Sequence, residues 1–194
     1  MNITEKILAR ASGKSTVSPD DIVFAKVDKV MVHDVSGPGV LKVFDKLQKQ
    51  GIDTSKLHDP TKVWIAEDHF VPSAEKISAE NIVKLSNFSK KYNIKKHFKY
   101  GMGQYGICHT LSHEEALVNP GDVYVGGDSH TNTTGALGAF ACGLGHTDIA
   151  YVLLNGEIWF KVPETYYFKL NGKLPPHVMA KDFILKIIGD IGND

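Results

Sequence analysis

Three apolar, strand-like runs in this chain each end in a cluster of aspartate and histidine. Ile22 to Val32 runs into His33-Asp34-Val35-Ser36-Gly37-Pro38-Gly39, and Val63-Trp64-Ile65-Ala66 runs into Glu67-Asp68-His69. Asp122-Val123-Tyr124-Val125 runs into Gly126-Gly127-Asp128-Ser129-His130-Thr131. Helix-period segments lie between them. Leu41, Phe44 and Leu47 recur along 40–50 before Gly51, and Ile77, Ile82, Leu85 and Phe88 share one side of a helix expected over about 74–92. Further helices are expected over about 147–154 and over 178–188, and Asn2 with Glu5 has capping-box spacing ahead of a short N-terminal one. Tyr166, Phe168 and Leu170 alternate as a strand does. Strands alternating with helices predict an α/β domain with a mainly parallel sheet. Such folds place ligands at the carboxyl ends of strands, where these three polar clusters fall.

At 194 residues the chain fits one domain, or one and the start of another, and can bury a core without staples. Its 22 basic and 22 acidic side chains cancel, which removes the electrostatic footprint of a nucleic-acid binder. The lysine-rich stretch 90–99 reads as the solvated end of a helix. Cys108 and Cys142 are too few for a disulfide framework and are not spaced as a zinc or redox pair. Met1-Asn2-Ile3-Thr4-Glu5-Lys6 has no basic n-region and no apolar h-region, so no secretory signal is expected, and no apolar run approaches the roughly 18 residues that span a bilayer. A cytoplasmic protein with no membrane partner is expected.

Four motifs suggest chemistry, and three of them fail as written. Gly101-Met102-Gly103-Gln104-Tyr105-Gly106 follows a strand-like segment and matches the dinucleotide fingerprint, but no long helix has room after it, so the glycines serve a loop. His109 and His113 have the spacing of a zinc protease, yet Thr110 stands where the catalytic Glu belongs. Cys108, His109, Asp128 and His130 together could still hold a divalent metal, as in a metal-dependent hydrolase. Asp128-Ser129-His130 holds the residue types of a serine-hydrolase triad, but sequence neighbours cannot form the relay among themselves, and the nucleophile elbow lacks its second glycine. Asp128 and His130 can instead pair as an acid-base unit, with Ser129 in the same pocket. Of the nine histidines, His58, His97 and His177 sit in polar surroundings that suggest the surface. His69 and His130 each adjoin an aspartate at a strand end, which favours the charged imidazole and suits a carboxylate substrate.

Several segments together resemble the aconitase superfamily, within it the branch of 3-isopropylmalate dehydratase and homoaconitase large subunits. They are Met31-Val32-His33-Asp34, Asp68-His69 with Val71-Pro72, Gly106-Ile107-Cys108-His109, and Gly127-Asp128-Ser129-His130-Thr131. Gly135-Ala136-Leu137-Gly138-Ala139-Phe140 and Trp159-Phe160-Lys161-Val162-Pro163-Glu164-Thr165 also match, in the family's order. The resemblance implies a three-layer α/β/α domain over 1–194, the first of a larger architecture, and a hydro-lyase. Such an enzyme isomerises a hydroxy di- or tricarboxylic acid by removing and returning water, on a [4Fe–4S] cluster acting as Lewis acid. By the same resemblance Asp68, His69 and His109 belong to the acid-base group around the departing hydroxyl. Asp128, Ser129 and His130 line the substrate and cluster pocket, with Asp128 and His130 also catalytic. His33 falls where aconitases use a glutamine to touch substrate.

Departures from the family pattern are as informative. Its three cluster cysteines lie in a Ser-Cys-Thr-Asn-Gly-type loop and a later C-x-x-C, and neither motif is present. Cys108 and Cys142 read as structural. Arg10 is the single arginine, so the arginines that would grip substrate carboxylates are missing. The expectation is a chain that binds no stable cluster and is inactive alone, its partners being the C-terminal remainder of the large subunit and a small subunit. Isopropylmalate, homocitrate and citrate-type acids are not separated by the sequence. A non-catalytic binding or assembly module is the alternative from another class.

Overall fold

The run expected as one strand over 22–32 is two strands in different sheets. In the computed structural model, which describes residues 1–192, β1 (Ile22–Lys26) and β2 (Lys29–His33) part at Val27-Asp28. Asp28 makes the break. Its N–H donates to the Val123 carbonyl and its Oδ2 accepts the Val123 N–H, both at 2.9 Å, while Arg10 Nη2 donates to the same oxygen at 2.7 Å. Burial changes at the same point: β1 alternates exposed and buried residues, whereas β2 is almost wholly buried.

β2 is the centre of a five-stranded sheet. Its companions are β3 (Val63–Ala66), β4 (Lys96–Phe98), β5 (Val123–Gly126) and β6 (Phe140–Gly143), ordered β4-β3-β2-β5-β6 with every pairing parallel. β1 pairs separately and antiparallel with β7 (Glu157–Lys161), Phe24 opposite Trp159. The helices of this unit are α1 (Ile3–Ser12), α2 (Ser36–Lys49), α3 (Lys76–Lys91), α4 (Cys108–Glu114) and α5 (His146–Asn155). The capping box on α1 is formed, with Asn2 Oδ1 accepting the Glu5 N–H and Glu5 accepting the Asn2 N–H. α2 begins at Ser36, ahead of the expected start, because Pro38 is tolerated in a first turn.

Two cores confirm the layered α/β architecture. Val30, Val32, Val63, Ile65, Val123 and Val125 face one side, packed with Leu8, Val40, Phe44, Leu85, Phe88, Ile149 and Leu153 of the helices. Met31, Trp64, Ala66 and Tyr124 face the other, against Cys108 and Leu111 of α4 and the following Leu117 and Val118. Each fully buried aliphatic side chain contributes on the order of 2 kcal/mol.

The strand order reverses between β2 and β5. β2 leads through α2 to β3 on one side, and β5 lies on the other. That switch point opens a crevice at the carboxyl ends of β2 and β5, the standard ligand position in open α/β sheets.

The chain divides by its contacts into Met1–Glu164 and Thr165–Asp194. In the second unit α6 (Ala180–Ile191) is the helix expected near 178–188. The strand expected at Tyr166, Phe168 and Leu170 is not formed. The Tyr166 and Phe168 rings do stack on one side at 6.3 Å, but a strand also needs a hydrogen-bonded neighbour, and this unit has none among the described residues. Among the described residues no helix is long and apolar enough to cross a membrane.

Candidate active site

β2 delivers His33 and Asp34 to the crevice, both buried at 2% and 0% exposure. The turn into α2 then folds back on them. Ser36 Oγ accepts the His33 N–H at 3.2 Å, and His33 Nδ1 accepts the N–H groups of Val35 and Ser36 at 3.0 and 3.3 Å. On the β5 side the Gly127 N–H donates to the Met31 carbonyl at 3.1 Å. A Cβ at Gly127 would collide with the Ser36 side chain, so glycine here lets the two strand ends close up.

Asp34 organises the neighbouring loop. Its Oδ1 accepts the His69 N–H at 3.1 Å and its Oδ2 accepts the Phe70 N–H at 2.6 Å. Beside it Asp68 holds two partners, His69 Nδ1 at 2.8 Å and the Cys108 N–H at 2.6 Å, which ties the end of β3 to the start of α4. The His69 ring stacks on His33 with centroids 4.3 Å apart and planes 14° from parallel.

Asp128 is where these groups meet. Oδ1 lies 2.9 Å from His109 Nε2, and Oδ2 lies 3.3 Å from His69 Nε2 and 3.5 Å from His33 Nε2. Three elements, β2, the loop after β3 and α4, therefore aim side chains at one carboxylate on the loop after β5. The charges follow. Burial opposes ionisation of Asp128, but the His130 N–H and the hydrogen bond and charge of His109 outweigh it and lower its pKa. Burial likewise opposes ionisation of Asp68, and the Cys108 N–H and His69 overcome it. Burial also opposes charge on His69, yet its bond to Asp68 and the Asp68, Asp34 and Asp128 carboxylates raise its pKa. His33 moves the other way, down, through burial and the charge of His69, against the pull of Asp68, Asp128 and Asp34.

The remaining expected residues sit less centrally. His130 donates its backbone N–H to Asp128 at 2.6 Å, whereas its Nδ1 is 3.6 Å from that carboxylate and 3.2 Å from Ser129 Oγ. The His130 ring thus stays within ion-pair distance of Asp128, and His109 adds a shorter contact to the same oxygen at 2.9 Å. Successive side chains past a strand end diverge, and the His130 ring is 79% exposed. His113 shares a short helix with His109 but sits 2.7 Å from the His109 carbonyl through Nδ1. His97, expected at the surface, is buried: its Nε2 is 2.9 Å from Glu67 Oε1, and both side chains are 4% exposed. Glu67 and Asp34 were not singled out as site residues in the sequence. Their adjacency to Asp68 and His33 was the available signal.

The glycine-rich loop serves as a connector. Gly101 and Gly103 adopt left-handed backbone (φ 74° and 85°), and the chain then enters α4 rather than a long phosphate-binding helix. Arg10 is not at the site; it bonds Asp28 and the Gly121 carbonyl, the latter at 2.8 Å.

Two donor sets could attract a cation: His33, Asp34, Asp68 and His69, and His109, Asp128 and His130, each with atoms within 4.8 Å of one another. In the first, Asp34, Asp68 and His33 Nδ1 are committed to backbone N–H groups; in the second, Asp128 is committed to His109 and His130. An iron–sulfur cluster needs thiolates. The Cys108 thiol is fully buried against the apolar core, and burial with the Asp68 and Asp128 charges pushes its pKa far up; burial raises that of Cys142 as well. The residues of this chain do not by themselves fit such a cluster.

Residues 5–194 match the model of the aconitase family (aconitate hydratase). Over its full 194 residues the chain is 48% identical to the 3-isopropylmalate dehydratase large subunit of Aquifex aeolicus and 47% identical to that of Heliobacterium modesticaldum. It is 44% identical to the probable 3-isopropylmalate dehydratase large subunit of Methanothermobacter thermautotrophicus. The chain spans 43% of the first of these proteins and 44% of each of the other two.

Proposed function

Because the chain belongs to the aconitase family, we propose that it is the N-terminal portion of a hydro-lyase large subunit of the 3-isopropylmalate dehydratase type. The reaction is the isomerisation of 2-isopropylmalate to 3-isopropylmalate by loss and return of water, a step of leucine biosynthesis, in the cytoplasm. The observation that carries it is the convergence of His33, His69 and His109 on Asp128 at the sheet's switch point, in a chain this similar to those large subunits. A hydroxy dicarboxylate is an anion with one poor leaving group. Such a substrate needs a cation-bearing pocket and a proton delivered to the departing hydroxyl.

His69 is suited to deliver that proton, since Asp68 holds its Nδ1 and favours the charged ring, leaving Nε2 toward the crevice. His109 is the second acid-base group, oriented by Asp128. Asp128, with Ser129 and His130 beside it, forms the wall that orients the substrate. Water loss and return use the same groups in opposite directions. The [4Fe–4S] cluster belongs to the complete enzyme. The partners are the C-terminal remainder of the large subunit and a small subunit.

The experiment is reconstitution. The chain, combined with the remaining large-subunit polypeptide and a small subunit and loaded with iron and sulfide anaerobically, should turn over 3-isopropylmalate. Asp128→Ala should reduce that turnover by at least about 100-fold, the scale of a lost acid-base group. Wild-type turnover unaffected by Asp128→Ala would overturn the reading.

A further inference from the structure

We propose that His33 is locked by the N-terminus of α2 as the neutral Nε2–H tautomer, and that it serves as a fixed, uncharged N–H donor to an oxygen of the hydroxy-acid substrate. The tautomer rests on geometry alone. Nδ1 accepts two backbone N–H groups, those of Val35 and Ser36. A nitrogen that accepts two hydrogen bonds cannot also carry a proton, so a neutral ring must carry its proton on Nε2. Those N–H groups open a 14-residue helix whose N-terminal dipole disfavours positive charge on the ring.

The surroundings select the same state. The charged and titratable groups facing His33 are Asp34 on its own turn, Asp68 and His69 from the loop after β3, and Asp128 from the loop after β5. Asp68 favours the charged form of the stacked His69, and two imidazolium rings 4.3 Å apart would repel each other. The other end of His33 is unfinished. Nε2 is buried without a hydrogen-bond partner; Asp128 Oδ2, 3.5 Å off, lacks hydrogen-bond geometry. A buried donor left unpaired is destabilising, so a ligand oxygen that accepts from it recovers that cost on binding.

The recipient of the bond rests on the functional reading above. His33 then orients substrate without competing with His69 and His109 for protons.

Two measurements test it. The chain labelled with ¹⁵N in its histidine rings, with His33→Gln used for assignment, should show for His33 a protonated Nε2 and a bare Nδ1. That pattern should persist on acidification while His69 becomes doubly protonated. A proton on Nδ1, or double protonation of His33 before His69, overturns the lock. In the enzyme assembled with the large-subunit remainder and the small subunit, His33→Phe should lower kcat/KM by at least tenfold, and His33→Gln should recover a large part of that loss. A glutamine variant no better than phenylalanine overturns the donor role and leaves the tautomer standing. An assembled wild type without turnover overturns the functional reading, and the donor role with it, but does not alter the ring spectrum.

Discussion

Asp68 Oδ1 lies 2.8 Å from His69 Nδ1, and against burial this contact favours the charged form of the ring that faces the crevice. Replacing Asp68 by Asn keeps the shape and removes the charge. The titration midpoint of His69, followed by NMR, should fall in Asp68→Asn relative to the parent chain. The stability consequence has a definite sign. A histidine raised above its ordinary value of about 6.5 adds stability that is complete below that pH and disappears as pH rises through the raised value. The Asp68 carboxylate, lowered from its ordinary range, adds stability that is lost only at acid pH. The stability gap between parent and Asp68→Asn, measured in urea, should therefore narrow as pH rises through the His69 midpoint. A gap that widens would remove Asp68 as the cause.

Asp34 is the mechanical support of the same loop. It is fully buried and takes the N–H groups of His69 and Phe70. Asp34→Ala leaves both donors without their acceptor, at about 1–3 kcal/mol for each that stays buried. Urea denaturation should show a loss of about 2–4 kcal/mol, and Asp34→Asn, which retains one acceptor oxygen, should lose less. Equal losses in the two variants would mean that the carboxylate charge, not the backbone bonds, carries the effect.

The Glu67–His97 pair fixes the approach to the glycine-rich loop. Glu67 accepts from the Tyr100 N–H at 3.1 Å through Oε2 while Oε1 faces His97, and its own N–H donates to the Phe98 carbonyl at 3.0 Å. Removing one member of a buried pair strands the other; Glu67→Ala should cost about 3 kcal/mol in denaturant. Hydrogen exchange at Tyr100 should accelerate in the same variant. If Tyr100 stays protected, the loop is held elsewhere.

The strand ends carrying His33, Asp68, His69 and Asp128 were legible because apolar runs and polar terminators are local patterns, and parallel sheets collect strand ends in one crevice. What was not legible depends on partners remote in sequence. Asp34 reaches across 35 and 36 residues to the His69 and Phe70 backbone, and Asp128 makes a shorter contact 19 residues back, with His109 at 2.9 Å, than with the His130 ring at 3.6 Å. β6, Phe-Ala-Cys-Gly, has too few large side chains to show a period, and the Tyr166–Leu170 alternation has the period without the neighbour. His97 looked like a surface residue because its lysine neighbours are solvated; the Glu67 beneath it is 30 positions away.

The two cysteines supply the last prediction. Only a thiolate attacks an alkylating reagent or ligates iron, and both thiols here are shifted toward the protonated form, Cys108 the further. Cys108 is fully buried and Cys142 half-buried, so alkylation of the folded chain at pH 8 should modify Cys142 slowly and Cys108 hardly at all. In urea both should react at least about 100-fold faster, since unfolding restores the ordinary thiol pKa and access together. The same chemistry bears on iron. Anaerobic reconstitution of the 194-residue chain should give no stable four-iron absorbance, because two protonated thiols on separate elements, α4 and β6, do not make a three-thiolate ligand set. A stable cluster on this chain alone would require His or Asp ligation from the Asp128 cluster, and would replace the acid-base assignment of His69 and His109 with a ligand assignment.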